Sequence, residues 1–225
     1  HSSDPTFQRG TTNSWSFLSV DPNLGLVYVP TGNTSPDYYG GQRDGLDYYS
    51  SSVVALHIDT GEVAWHFQTV HHDIWDFDLP SQPTFFDWDR DGEPVLGLAQ
   101  TTKQGYVFLL DRETGEPLFP VVETAVPQGA VAGDFTAPTQ PIPSKPRSLF
   151  ELPGENDLLW GLTPWDKGAC ANTLEDIRYE GPFTPPTTEG ALHMPSAFGG
   201  QNWGGPAIDS VRGKLIVNTL HMGTI

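Results

Sequence analysis

Two places in this chain carry the same turn between the same kinds of segment, and that repeat limits the fold more than any other feature. Ser51–Ile58 is an apolar, β-branched run that ends in Asp59-Thr60-Gly61, and Glu62–Gln68 follows as a second extended run. Gly105–Leu110 leads in the same way into Asp111-Arg-Glu-Thr-Gly-Glu116 and then Pro117-Leu-Phe119. Thr60-Gly61-Glu62 and Thr114-Gly115-Glu116 lie 54 residues apart. Each unit reads strand, acidic Thr-Gly turn, strand, which is a hairpin whose glycine supplies the positive φ. A hairpin recurring at such a period predicts blades of a β-propeller.

The rest of the chain agrees with an all-β reading. Helical periodicity is nearly absent, and Leu24–Pro30 is a further strand, closed by its proline and preceded by an Asp21-Pro-Asn turn. With 24 glycines and 21 prolines among 225 residues, turns are frequent. Residues 120–200 differ: text such as Thr136-Ala-Pro-Thr-Gln-Pro-Ile-Pro-Ser-Lys-Pro146 cannot fill a central strand, because proline donates no ladder hydrogen bond. This Pro/Gly-rich region reads as an excursion between blades, with Glu155–Trp160 a short helix at best.

Charge and composition exclude several functions. Eleven Lys and Arg against 28 Asp and Glu give a net charge of −17, which repels phosphate backbones and anionic lipid surfaces. Nucleic acid is therefore not an expected partner. One cysteine, Cys170, can form no internal disulfide, and no Cys/His zinc spacing is present. No apolar run reaches the roughly 18 residues of a membrane span. The strand-like Lys214–Ile225 reads as cut short, so the chain is expected to be part of a longer propeller.

The chemistry gathers in short clusters. His71-His-Asp-Ile-Trp-Asp-Phe-Asp78 packs two His, three Asp and a Trp into eight residues. In extended chain Asp76 and Asp78 share a face, which suits a general base, a hydrogen-bonded strand end, or zinc if a third ligand came from elsewhere. Asp87-Trp-Asp-Arg-Asp-Gly92 has the spacing of a calcium loop, but Leu98 stands where the twelfth-position Glu belongs, so a polar hairpin is expected.

Several runs, in order and at matching spacings, resemble the pyrroloquinoline-quinone (PQQ) dehydrogenases. They are Asn13-Ser-Trp15, Leu26-Val-Tyr-Val-Pro-Thr-Gly-Asn33, Phe67–Asp76 with Asp78-Leu-Pro80, Lys103-Gln-Gly105, Val126-Pro-Gln-Gly129, Arg178–Pro186 and Asn202-Trp-Gly-Gly205. The pattern Ala55-x-x-x-x-Thr60-Gly61-x-x-x-Trp65 is similar to the tryptophan-docking motif of those propellers, where the Trp stacks between neighbouring blades. The likeness is greatest to the membrane-bound branch that oxidises glucose, quinate or shikimate. It implies part of an eight-bladed propeller of W-shaped four-stranded blades, with residues 1–225 forming about half of one PQQ-binding domain.

The resemblance also implies roles. Trp15 would stack under the PQQ rings, and Asn33 would offer its carbonyl oxygen to a Ca²⁺ or Mg²⁺ ion. Asp76 would be the catalytic base and a further ligand of the cation, with Asp73 and Asp78 as rivals on composition. Lys103 would hold the quinone oxygens, and Asn218 and Asn202 would contact PQQ from the rim. His71 and His72 would shape the substrate pocket. The implied activity oxidises a hydroxyl of a sugar or cyclic polyol by hydride transfer to PQQ and passes electrons to ubiquinone or another acceptor. The implied setting is the periplasm, with an inner-membrane anchor outside this sequence. The competing reading is a non-enzymatic propeller scaffold for protein partners, which has no reason to keep Trp15, Asn33, Asp76 and Lys103 together.

Overall fold

A computed structural model of the chain describes residues 12–43, 45–150 and 161–225. Its first unit is a four-stranded antiparallel meander: β1 (Ser19–Asp21), β2 (Leu26–Pro30), β3 (Ser52–His57) and β4 (Val63–Gln68), side by side in chain order. The second is the meander β5 (Thr84–Arg90), β6 (Glu93–Thr101) and β7 (Val107–Asp111). Its fourth strand is reduced to a single bridge between Leu110 and Pro117. Two antiparallel ribbons follow, β8 (Val121–Ala125) with β9 (Thr139–Pro143), and β10 (Pro206–Asp209) with β11 (Lys214–Val217). β10 lies beside β5.

Register explains which faces are buried. Tyr28 pairs with Ala55 and Pro30 with Val53, so the alternate residues of β2 and β3 point to one side. That side carries Leu26, Tyr28, Val53 and Ala55, and it packs on Leu98, Phe108 and Leu110 of the second meander, with Leu79 between. Arg112 ties the same two sheets at their edge: its guanidinium meets Asp21 at 2.9 Å and Asp87 at 3.0 Å, and lies 4.9 Å from the Phe85 ring centre. The Tyr28 hydroxyl donates to the Arg112 carbonyl at 2.7 Å.

The repeated turn is where the two units lock. Trp65, on β4, packs against Tyr28 with ring centres 5.7 Å apart. Its indole also meets Gly115 in the Thr-Gly turn of the second unit: a Cβ there would stand 2.6 Å from the ring, and φ is +78°. Only glycine fits that seat without strain.

Two readings of the sequence come out differently in detail. Proline-rich Thr139–Pro143 does form a strand, β9, but in a two-stranded ribbon where few ladder bonds are demanded of it. A helix, α1 (Pro164–Leu174), was not expected. Its start is legible as Thr163-Pro-Trp-Asp166, where the Thr163 hydroxyl caps the Asp166 amide and the Asp166 carboxylate reaches back to Thr163. The expected short helix at Glu155–Trp160 lies outside the described residues. Asp87–Gly92 is part of a hairpin, as expected: Asp87–Arg90 end β5, Asp91 and Gly92 make the turn into β6, and the Gly92 amide donates to Asp89 at 2.8 Å.

A candidate active site around Asp76 and Lys103

The segment 70–79 crosses between the two meanders and is anchored from both sides. Val70, Ile74, Trp75 and Phe77 are buried with Phe183 in a second apolar cluster, and the Trp75 indole donates to the Thr184 carbonyl at 2.7 Å. Asp73 holds the bend together. Its fully buried carboxylate accepts the Trp75 amide at 3.0 Å, the Phe77 amide at 3.1 Å and the Ser51 hydroxyl at 2.6 Å. Burial raises its pKa, with those three donors opposing. Asp73 is thus occupied in shaping the segment. The Leu79 amide then donates to the Thr31 carbonyl at 3.2 Å, which sets the Thr31–Asn33 loop beside the acidic segment.

The folded bend presents Asp76 and Asp78 to Lys103. The Lys103 ammonium is buried, accepted by the Asp76 carboxylate at 3.2 Å and the Asp76 carbonyl at 2.8 Å, and paired with Asp78. Asp78 also accepts the Trp15 indole N–H at 2.5 Å, while half of Trp15 remains exposed. Lys103 is itself pinned from behind: its carbonyl accepts the Gly200 amide at 2.6 Å. A Cβ on Gly199 would come within 2.7 Å of its Cα. Asp76 has φ +58°, a left-handed conformation that costs a non-glycine residue about 1–3 kcal/mol and that gathers at functional sites.

Electrostatics single out Asp76. Burial pushes the Asp76 carboxyl up to about 7, with Lys103 pulling it down and Asp78 pushing it up. Lys103 keeps its proton, since the two carboxylates outweigh the cost of its burial. One ammonium between two acids leaves the cluster a net acceptor of positive charge when both are ionised. Burial is thus the larger influence on Asp76, ahead of the neighbouring Lys103 charge.

Trp15, Asp76, Asp78 and Lys103 are brought into contact; the other expected residues are placed as follows. Asn33 is buried, its amide N–H donating to the Asp37 carbonyl at 3.1 Å and its carbonyl oxygen accepting the Ser50 hydroxyl at a long 3.3 Å. Asn202 spends its amide locally, on the Phe198 carbonyl at 2.7 Å and the Trp203 amide at 2.8 Å. Asn218 is exposed, its side-chain oxygen over Gly204. His71 bonds Gln68 at 2.8 Å and Glu123 at 3.0 Å. His72 is clamped between Asp47 and Asp134, each at 2.8 Å, beneath the ring of Phe135. Both His72 ring nitrogens are thus taken, so His72 fastens two loops and has no ring nitrogen left for a substrate.

Two residues that sequence reading passed over stand at the same place. Burial and, after it, the Asp76 charge raise the Tyr38 pKa, with Lys103 opposing. His193 packs its ring 5.0 Å from that of Phe77. No short motif surrounds either of them.

The donor set can be tested against a quinone and a cation. A half-exposed indole and a buried ammonium suit a flat, anionic ring system. The side-chain amides of Gln104 and Gln201, buried near the Lys103–Gly200 contact, have no hydrogen-bond partner among the described residues and add unspent polar capacity. The oxygens of Asn33 and Asp76 suit a hard cation that takes further oxygens from its ligand. Among the described residues no group of three or more His, Cys, Asp or Glu is arranged for a metal.

Known proteins resemble this chain along nearly its whole length. A family model described as "PQQ: Glucose/ethanol/alcohol dehydrogenase, beta-propeller domain" matches residues 1–225. The quinoprotein glucose dehydrogenase of Gluconobacter oxydans (strain 621H) is 43% identical over 226 residues, covering 98% of this chain and 27% of that protein. The quinate/shikimate dehydrogenase (quinone) of Acinetobacter baylyi is 36% identical over 219 residues, covering 96% and 27%. In fold, the chain is similar to the crystal structure of quinohemoprotein alcohol dehydrogenase from Comamonas testosteroni, with a TM-score of 0.59 at 22% identity over 95% of this chain and 26% of that one. The chain therefore spans 27% of the length of the two curated relatives named here. Meandering antiparallel sheets, a tryptophan seated on the next unit's turn and a match along its whole length show that this chain belongs to the PQQ-dependent dehydrogenase β-propeller family.

Proposed function

We propose that the protein of which this chain forms part oxidises a hydroxyl group of a sugar or polyol, with PQQ as the two-electron acceptor. The observation that carries this reading is the Asp76–Lys103–Asp78–Trp15 cluster, which joins a carboxylate of raised pKa, a buried cation and an exposed indole. Asp76 is the base: its carboxylate takes the O–H proton as the carbinol carbon gives up its hydride and becomes a carbonyl. Lys103 supplies positive charge where negative charge develops on the acceptor's oxygens. Asp78 holds Lys103 and Trp15 in register. Bound PQQ would supply the hydride-accepting carbonyl, held by Trp15 and Lys103 and, at the rim, by Asn202 and Asn218.

A Ca²⁺ or Mg²⁺ ion belongs at Asn33 and Asp76 in this reading, ubiquinone is the class of onward acceptor, and the periplasm is the expected compartment. Among the described residues no helix is long and apolar enough to cross a membrane. The test is Asp76→Asn in the full-length protein. It should keep PQQ binding yet lose turnover by roughly 10²-fold or more, as expected for removal of a general base. Turnover that survives Asp76→Asn would overturn the assignment.

A further inference from the structure

His193 is the most conspicuous polar group near the site that the chemistry above leaves unused. Its main chain is fixed, with its N–H donating to the Thr224 carbonyl at 2.8 Å and its carbonyl accepting the Thr224 N–H at 3.0 Å. Its ring is wedged between Phe77, at 5.0 Å, and Tyr38, edge-on at 6.3 Å. Phe77 lies between Asp76 and Asp78 in sequence, so the imidazole is packed against the bend that carries both carboxylates. Its Nε2 is closed off from solvent and has no hydrogen-bond partner among the described residues. Leaving a buried polar atom unpaired costs free energy, so an unpaired nitrogen beside the site calls for a partner. Burial, and after it the Lys103 charge, lower the imidazole pKa to about 4. The ring is neutral at ordinary pH, so one ring nitrogen can donate and the other accept. The phenol of half-exposed Tyr38 offers a second donor-acceptor on the same side.

We infer that His193, with Tyr38 beside it, is a specificity-determining residue that hydrogen-bonds a hydroxyl of the substrate other than the one being oxidised. The inference rests on the reading of this site as a PQQ-dependent centre that oxidises a sugar or polyol, and it adds the side chain that tells a polyhydroxy substrate from a monohydric alcohol. A neutral hydrogen-bonding pair favours uncharged hydroxyls; a cationic imidazole would favour a carboxylate. A site built around such a bond rejects a molecule that lacks the hydroxyl, because the buried nitrogen then stays unpaired.

The experiment uses the full-length protein loaded with PQQ and compares glucose, glycerol and ethanol as substrates. His193→Phe should lower kcat/KM for glucose and glycerol roughly tenfold relative to ethanol, mostly through KM. His193→Gln, whose amide reaches a similar position, should restore much of the difference and guards against a folding defect in the Phe variant. PQQ affinity, read by quenching of tryptophan fluorescence, should stay within about twofold. Wild-type protein that oxidises none of these alcohols with PQQ would sink the oxidation reading and this inference with it. Active wild type whose glucose-to-ethanol ratio is unmoved in both variants would overturn the inference alone. So would a loss confined to PQQ affinity, which would place His193 on the cofactor.

Discussion

Replacing Asp73 separates its work from that of its neighbour three residues on. In Asp73→Ala, three donors lose their acceptor in a fully buried site: the Ser51 hydroxyl and the amides of Trp75 and Phe77. Each buried donor left unpaired costs about 1–3 kcal/mol, and the three share one bend, so about 3–5 kcal/mol in total is expected. In Asp73→Asn the side-chain oxygen can still accept both amides, and the new NH₂ can donate to Ser51, so the change should stay within about 1 kcal/mol. An unfolding unit of 150–250 residues moves about 2–4 °C per kcal/mol, so the Ala variant should melt roughly 10 °C lower and the Asn variant near wild type. The sign of the pH dependence follows from burial. Asp73 has a raised folded pKa, so wild type loses stability as pH rises from the ordinary carboxylate range of about 4 toward that value. Asp73→Asn lacks that loss, so it should gain on wild type as pH rises and then hold level. The assay is thermal unfolding of the full-length protein across pH, with turnover of the Asn variant alongside. An Ala variant as stable as wild type would refute the reasoning. So would an Asn variant that folds normally but turns over no substrate, since Asp73 would then be taking part in the chemistry.

Gly115→Ala places a methyl 2.6 Å from the Trp65 indole at φ +78°, and should cost about 2–4 kcal/mol, read as a lower denaturation midpoint with altered tryptophan emission; an unchanged midpoint would refute the seat. The His72 clamp should loosen with alkali. Burial lowers the His72 pKa, but Asp47 and Asp134 more than offset it and raise it, so the clamp's contribution is complete below about 6.5 and fades as pH rises through the raised value. Proteolysis of the loops at Gly40 and Asp134 should quicken over that window in wild type, and a His72→Asn variant should show no such step. Metal-stripped full-length protein should bind PQQ more weakly without Ca²⁺ than with it, because a cation at Asn33 and Asp76 would share ligands with the cofactor; superimposable titrations would count against a metal there.

Much of this molecule was legible beforehand because its rules are local. The apolar, β-branched run Ser51–Ile58 and the Thr-Gly turns announced the strands, and the tryptophan pattern pointed to a contact between units that Trp65 and Gly115 now make. Trp15, Asp76 and Lys103 were named from spaced motifs, and their side chains lie in one cluster. Asp73 and Asp78 could not be told apart in the sequence, since both are acids on one short run; only the folded bend turns one toward backbone amides and the other toward Lys103. Helix α1 was missed because no face of it is buried, so its apolar residues carry no period. His193 was missed for a different reason: its partners Phe77 and Tyr38 are more than a hundred positions away in the chain, and no motif spans that distance.

The seat of Trp65 also bears on how such chains can be lengthened, shortened or recombined. The indole belongs to one sheet, but the glycine that receives it belongs to the turn of the next. A segment excised along sheet boundaries would carry away a tryptophan without its socket and leave behind a socket without its tryptophan. The heritable module is therefore out of phase with the visible one: it begins after one Thr-Gly turn and runs through the next. Crossovers made on that frame keep lock and key on the same piece of coding sequence.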